Sequence, residues 1–211
     1  MTVTLRKLFD MIKKWYLYVG FFVLLFGAYF LYYFSQDDFS QSGLPVINNN
    51  IQPFSFTNQN GKTLTERDID GKVYVAEYFF TTCRGICPRL NTNMKKVYER
   101  FKDEKDFVIL SHTSDPETDS AQQLKKYADS LGVNTSKWMF LTGRKDSLYT
   151  MARISYTIDD PANNLRNIDD DFLHTQYLAL VNRQGEVKKI YDGLKDSEIR
   201  AMIKEIEKTL H

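Results

Sequence analysis

The chain has 211 residues, with 28 Lys and Arg set against 27 Asp and Glu, and 43% of its residues are hydrophobic. A net charge of +1 with no basic tract in the longer, C-terminal part removes nucleic acid as a partner. Both cysteines fall in one short stretch, so any thiol chemistry is local.

Residues 1–14 carry Arg6, Lys7, Lys13 and Lys14. From Trp15 to Phe34, WYLYVGFFVLLFGAYFLYYF holds no charged residue, and about twenty apolar residues in a helix cross a bilayer core. Trp15, Tyr16 and Tyr18 at one end and Tyr29, Tyr32 and Tyr33 at the other suit the headgroup boundaries. Positive charge before the span and Asp37 and Asp38 after it predict a cytoplasmic N-terminus and an extracytoplasmic remainder. The apolar stretch is too long for a cleaved signal peptide and no small-x-small site follows it, so 15–34 is read as an uncleaved anchor in the lipid bilayer. Neither cysteine lies near it, which excludes a lipid-modified N-terminal cysteine. With no Arg-rich, acidic-poor leader, the inner membrane of a bacterial cell is expected, the C-terminal domain facing the periplasm.

Residues 35–50, polar and carrying Gly43 and Pro45, read as a linker. One domain is expected over 51–211, large enough for a substantial core. FSFTNQNGKTL alternates around Asn60-Gly61 and predicts a hairpin. KVYVAEYFF, Lys72 to Phe80, reads as a buried central strand, and its aromatics as core. After Pro88 the apolar Leu90, Met94, Val97, Tyr98 and Phe101 recur at helical spacing. FTTCRGICP therefore spans a strand-to-helix turn.

DFVILS predicts a second buried strand, AQQLKKYADSLG a helix ending at Gly132, KWMFLTG a third strand and KDSLYTMAR a short helix. TQYLALVNRQGEVKKIYDG predicts two strands joined around Gln184-Gly185, followed by a helix with Asp196 as N-cap. Alternating strands and helices ending in a hairpin and a helix predict an α/β sandwich with a mixed central sheet. Between them, SYTIDDPANNLRNIDDDFL from Ser155 to Leu173 lacks periodicity; a loop that long is often functional.

Cys83 and Cys87 admit three readings. As a disulfide they would close a very small loop and constrain the unfolded chain little. As a redox couple they would exchange electrons with a partner's thiols or disulfide. As thiolates they would suit a soft ion, Cu(I) in particular. The helix start at Pro88 favours thiolates through its dipole and free N–H groups, and Arg84 adds positive charge. Thiol oxidoreductases commonly carry two residues between their cysteines, where three stand here. A third ligand then becomes the question. His211 is terminal, His112 ends a predicted strand at the edge where α/β sites form, and His174 follows the acidic loop; spacing does not choose between the last two. Met94 and Met139 fit apolar patterns and read as core, and Asp169, Asp170 and Asp171 as a solvated loop face or an electrostatic lure for cations.

Cys-x-x-x-Cys-Pro at Cys83 to Pro88, with FTNQNGKTLTERDIDGKVYVAEYFF, SDPETDS at Ser114 to Ser120 and HTQYLALVNRQGEV from His174, resembles the Sco (Sco/SenC) family of membrane-anchored, thioredoxin-like copper proteins. The likeness runs from about Gly43 to the C-terminus. It implies that Cys83, Cys87 and His174 hold Cu(I) or Cu(II). It also implies service to cytochrome c oxidase assembly, as copper delivery to, or thiol reduction of, the binuclear copper centre of subunit II, with other extracytoplasmic copper or thiol-redox proteins as further partners. Asp115 and Pro116 match a family segment near the site. Thr118 and Ser120 depart from the Arg and Thr often found there, and Arg84 and Gly85 from a common Pro-Asp, which removes a carboxylate near the metal. On this reading the chain is a copper chaperone and not an enzyme; the alternative is an extracytoplasmic thiol-disulfide oxidoreductase using Cys83 and Cys87 as its redox pair. A peroxidase of the thioredoxin superfamily would rest on a single low-pKa attacking thiol.

Overall fold

The computed structural model describes residues 2–35, 47–49, 51–159 and 172–211. The chain divides into two units, Met1–Leu44 and Pro45–His211. In the first, helix α1 runs over Thr2–Ser35. Its described side chains, residues 14–30, are all exposed, Phe22, Leu24 and Phe26 among them. Among the described residues no helix is long and apolar enough to cross a membrane. Most of the expected 35–50 linker, and Asp169 to Asp171, lie outside the described residues. Asn48, inside that linker, bridges Val187, so strand pairing in the second unit begins before residue 51.

The second unit is built on a seven-stranded mixed sheet. Its strands are β1 (Ser55–Asn58), β2 (Thr63–Thr65), β3 (Val73–Phe79), β4 (Phe107–Thr113), β5 (Trp138–Thr142), β6 (Tyr177–Val181) and β7 (Val187–Asp192), in the order β2-β1-β5-β4-β3-β6-β7. Strands β3, β4 and β5 are parallel; β1 and β6 flank them antiparallel. The predicted hairpin forms at β1–β2, where Gly61 takes the left-handed φ of 71° that the turn needs.

Among the described residues four α-helices accompany the sheet: α2 (Cys87–Phe101), α3 (Ala121–Leu131), α4 (Lys145–Thr150) and α5 (Asp196–Leu210). Helix α3 starts on the Ser120 hydroxyl, which accepts from Gln123 N–H, and ends on Gly132 at φ 66°. Asp196, expected as an N-cap, is instead the first helical residue of α5 after Lys195, and its carboxylate pairs with Lys96 at 2.8 Å. The stretch from Ser155 is less loop-like than its polarity suggested. Met151–Ser155 makes a π-helical turn after α4, and Tyr156, Ile158 and Leu173 are buried.

Period-2 alternation sorts the central strands onto two cores. Tyr74, Ala76 and Tyr78 with Val108 and Leu110 face one layer, closed by Phe56, Tyr149 and Tyr156. Val73, Val75 and Phe79 with Phe107 and Ile109 face the other, where Leu90, Met94 and Val97 of α2 and Ile199, Met202 and Ile206 of α5 pack. Met94 and Met139 are both core residues, as their patterns predicted.

Candidate metal centre

The sheet topology brings the site together. Strand β3 ends at Phe79, and the chain turns through residues 80–86 into α2, whose first residue is Cys87. Strand β6 runs antiparallel to β3, with Val75 opposite Leu180 and Ala76 opposite Ala179. The residues just before β6, His174 among them, therefore arrive at the edge where β3 ends.

Both cysteines are free thiols; Cys83 is half-buried and Cys87 buried. The turn is held by Cys83 N–H, which donates to the Phe80 carbonyl at 3.2 Å. Burial works to raise the pKa of Cys83, but the hydrogen bond from the Cys87 thiol and those from the backbone of Cys87, Gly85 and Ile86 outweigh it and hold this thiol below its ordinary value. Cys87 is pushed the other way, by burial first, then by donating to Cys83 and by the neighbouring charge of Glu77. The pair is thus asymmetric, with an accessible thiolate-prone sulfur above a buried thiol.

A buried carboxylate fixes the turn from behind. Asp119 accepts hydrogen bonds from Thr81 N–H at 3.1 Å, from the Thr81 hydroxyl, and from the Thr113 hydroxyl at 2.5 Å, tying the start of the cysteine turn to the end of β4. It lies in the SDPETDS segment, while Asp115 and Pro116 are partly buried beside it.

His174 is exposed, and its ring lies 6.1 Å from that of Phe80. Among the described residues no three of His, Cys, Asp and Glu stand close enough to hold a metal ion. The arrangement is two adjacent thiols with an imidazole across one aromatic ring. As a donor set, two soft sulfurs and one nitrogen fit copper.

His112 is on the wrong side of the sheet. It is fully buried in the first core layer, stacked on Tyr78 at 5.1 Å and edge-on to Phe56 and Tyr156 at 5.4 Å each, whereas both cysteines belong to the second layer. Burial lowers its pKa to about 3, so it is a neutral core histidine. His211 is exposed at the C-terminus.

Glu77 escaped the sequence reading, although a charge inside KVYVAEYFF was its signal. It is 1% exposed on the face of β3 shared with Val75 and Phe79, and accepts from the Ser111 hydroxyl at 2.5 Å, which in turn accepts from Trp138 Nε1 at 2.7 Å. Its second carboxyl oxygen has no hydrogen-bond partner among the described residues. Burial pushes its pKa up to about 7, against the hydrogen bonds from Ser111 and Trp138.

Comparison with known proteins gives a consistent result. The SCO1/SenC family model matches residues 46–211. The SCO1 protein homolog of Bacillus subtilis is 30% identical over 165 residues, covering 76% of this chain and 83% of the relative. A solved structure described as revealing a disulfide switch in BsSco, a member of the Sco family of cytochrome c oxidase assembly proteins, superimposes with a TM-score of 0.67 at 29% identity, over 81% of this chain and 98% of that one. Arabidopsis thaliana ScoI with copper bound superimposes with a TM-score of 0.58 at 27% identity, over 75% and 99%. The thioredoxin-like α/β fold with a mixed sheet is common to all of them, and the relatives include copper-binding proteins.

Proposed function

The chain belongs to the SCO1/SenC family, and from that premise we propose that it is a copper chaperone, binding one copper ion as cargo through Cys83, Cys87 and His174 and supporting assembly of the binuclear copper centre in subunit II of cytochrome c oxidase. The observation that carries this reading is the meeting of two reduced, hydrogen-bonded thiols at the start of α2 with the segment bearing His174, at one edge of the sheet. The thiols must be reduced to bind metal, so oxidation of the pair would exclude it and couple redox state to transfer.

Residues 15–34 are proposed as a membrane anchor, with residues 1–14 cytoplasmic and 51–211 periplasmic. Support comes from the uncharged run from Trp15 to Phe34 within α1, with Phe21, Phe22, Val23 and Leu24 exposed in succession.

Anaerobic titration of the reduced protein with Cu(I) against a colorimetric chelator tests the cargo reading. One copper per chain is expected, lost in Cys83→Ala and Cys87→Ala and weakened in His174→Ala. Stoichiometric binding retained by Cys83→Ala would overturn it.

The asymmetry of the thiols favours a second reading, a thiol-disulfide oxidoreductase. The Cys83 thiolate would attack a partner disulfide and release one partner thiolate. Cys87, once deprotonated, would then attack the Cys83 sulfur and release the second, leaving the partner reduced by two electrons and the pair oxidised. Turnover on a disulfide peptide that survives His174→Ala would favour this reading.

A further inference from the structure

Phe80 stands between the cysteine turn and His174. Its carbonyl accepts from Cys83 N–H, and its ring packs against the core layer to which both thiols belong. From the other side Phe172 meets that ring edge to face, at a centroid distance of 5.1 Å and an interplanar angle of 86°. His174 is tilted 58° against the same ring. Leu173, between Phe172 and His174, is anchored separately: its side chain is buried and its N–H donates to the Tyr149 hydroxyl at 3.0 Å. On the far side of His174, the Thr175 hydroxyl donates to the Ile158 carbonyl at 2.9 Å. The chain on both sides of His174 is therefore pinned, yet its imidazole is exposed; Phe80 is the ring that lies between it and the cysteine turn, and Phe172 packs on Phe80.

Phe172 itself remains 50% exposed. A large aromatic left half in water adds little to the core, and its ring contact is with Phe80, the residue that also holds the cysteine turn. Aromatic pairs in this edge-to-face geometry have a preferred orientation that aliphatic contacts lack. Such a pair restricts where the next side chains along the strand entry can point.

We propose that Phe172 and Phe80 form an aromatic clasp that positions His174 beside Cys83 and Cys87, making Phe172 a determinant of how well the third ligand reaches the ion. The inference rests on the copper reading above. It concerns positioning only, since neither ring offers a ligand atom.

The test uses the full chain in detergent, reduced and anaerobic, with Cu(I) competition for wild type, Phe172→Ala, Phe172→Tyr, His174→Ala and Phe172→Ala/His174→Ala. Copper affinity is expected to fall about two- to tenfold in Phe172→Ala, the range an aromatic pair supports, and to return in Phe172→Tyr. Combined with His174→Ala, the Phe172 substitution should cause no further loss, because the two act on one ligand. Cu(II)-loaded Phe172→Ala should give an electron paramagnetic resonance spectrum shifted toward that of His174→Ala, a signature that general loosening of the fold would not produce. Phe172 is half exposed, so this variant folds; Phe80→Leu keeps the core filled and should reproduce the loss. A wild type that needs His174 and a Phe172→Ala protein of unchanged affinity and spectrum would overturn the clasp alone. So would an equal loss in the His174→Ala background. A wild type that binds no copper would overturn the copper reading and the clasp with it.

Discussion

Cys83 and Cys87 differ more in surroundings than in sequence. Cys83 is half-buried beneath backbone N–H groups that favour its thiolate, while burial and the Cys83 sulfur keep the proton on Cys87. Brief iodoacetamide treatment near neutral pH, read by peptide mass spectrometry, should alkylate Cys83 before Cys87; equal labelling would contradict the asymmetry. Glu77 makes a second prediction. Its native carboxyl binds a proton more tightly than the unfolded one, so its contribution to stability is fully present below the ordinary value of 4.5 and is lost as pH rises through about 7. Urea melts of wild type and Glu77→Gln from pH 5.5 to 8 should show the variant gaining relative stability as pH rises, by up to a few kcal/mol. The difference between the two proteins cancels the opposite contribution of His112, which is present above 6.5 and lost as pH falls toward 3. A difference constant with pH would mean that Glu77 takes up no extra proton. The cysteine pair was legible in sequence because its spacing, its proline and its place between strand and helix are all local. His112 and His174 were indistinguishable, because which face of β4 meets α2 depends on packing far along the chain.

At the scale of elements, the pins around the turn carry the prediction. Asp119 joins Thr81 to Thr113, and Asp119→Ala strands these donors in a buried site, which costs about 1–3 kcal/mol. Denaturant unfolding should report that loss together with faster alkylation of Cys87. Gly193 offers a steric counterpart. A Cβ there would lie 2.2 Å from Leu90 Cδ1 and 2.9 Å from the Gln176 carbonyl, so Gly193→Ala must displace the buried Leu90 side chain and the backbone at the entry to β6, at roughly 1–3 kcal/mol. A Gly193→Ala protein as stable as wild type would contradict that packing. The elements themselves were readable: KVYVAEYFF contains β3, the apolar series after Pro88 is α2, and Gly132 caps α3 while Gly185 turns the chain between β6 and β7, both at positive φ. What sequence patterning missed came from tertiary pairing. Asp196 starts α5 one residue inside its expected capping place and pairs with Lys96 of α2, and Tyr156 and Leu173 enter a core that their polar neighbours concealed.

For the whole molecule, sheet order is the fact that patterning alone could not supply. The β1–β2 hairpin is local, but its addition antiparallel to β5, with Thr57 opposite Thr142, is not. Neither is the placing of β6 beside β3, which makes the entry to β6 and the cysteine turn neighbours. Helix α1 forms a separate unit, and if residues 15–34 anchor the chain, full-length protein should stay with membranes through alkaline carbonate washing; release into the supernatant would contradict an integral anchor. The first measurement to make is copper K-edge X-ray absorption on the Cu(I)-loaded full chain, alongside His174→Ala. Two sulfur scatterers and one nitrogen, with the nitrogen lost in the variant, is the expected result. A wild-type spectrum with sulfur alone, or one unchanged by removing His174, would contradict the three-ligand copper site.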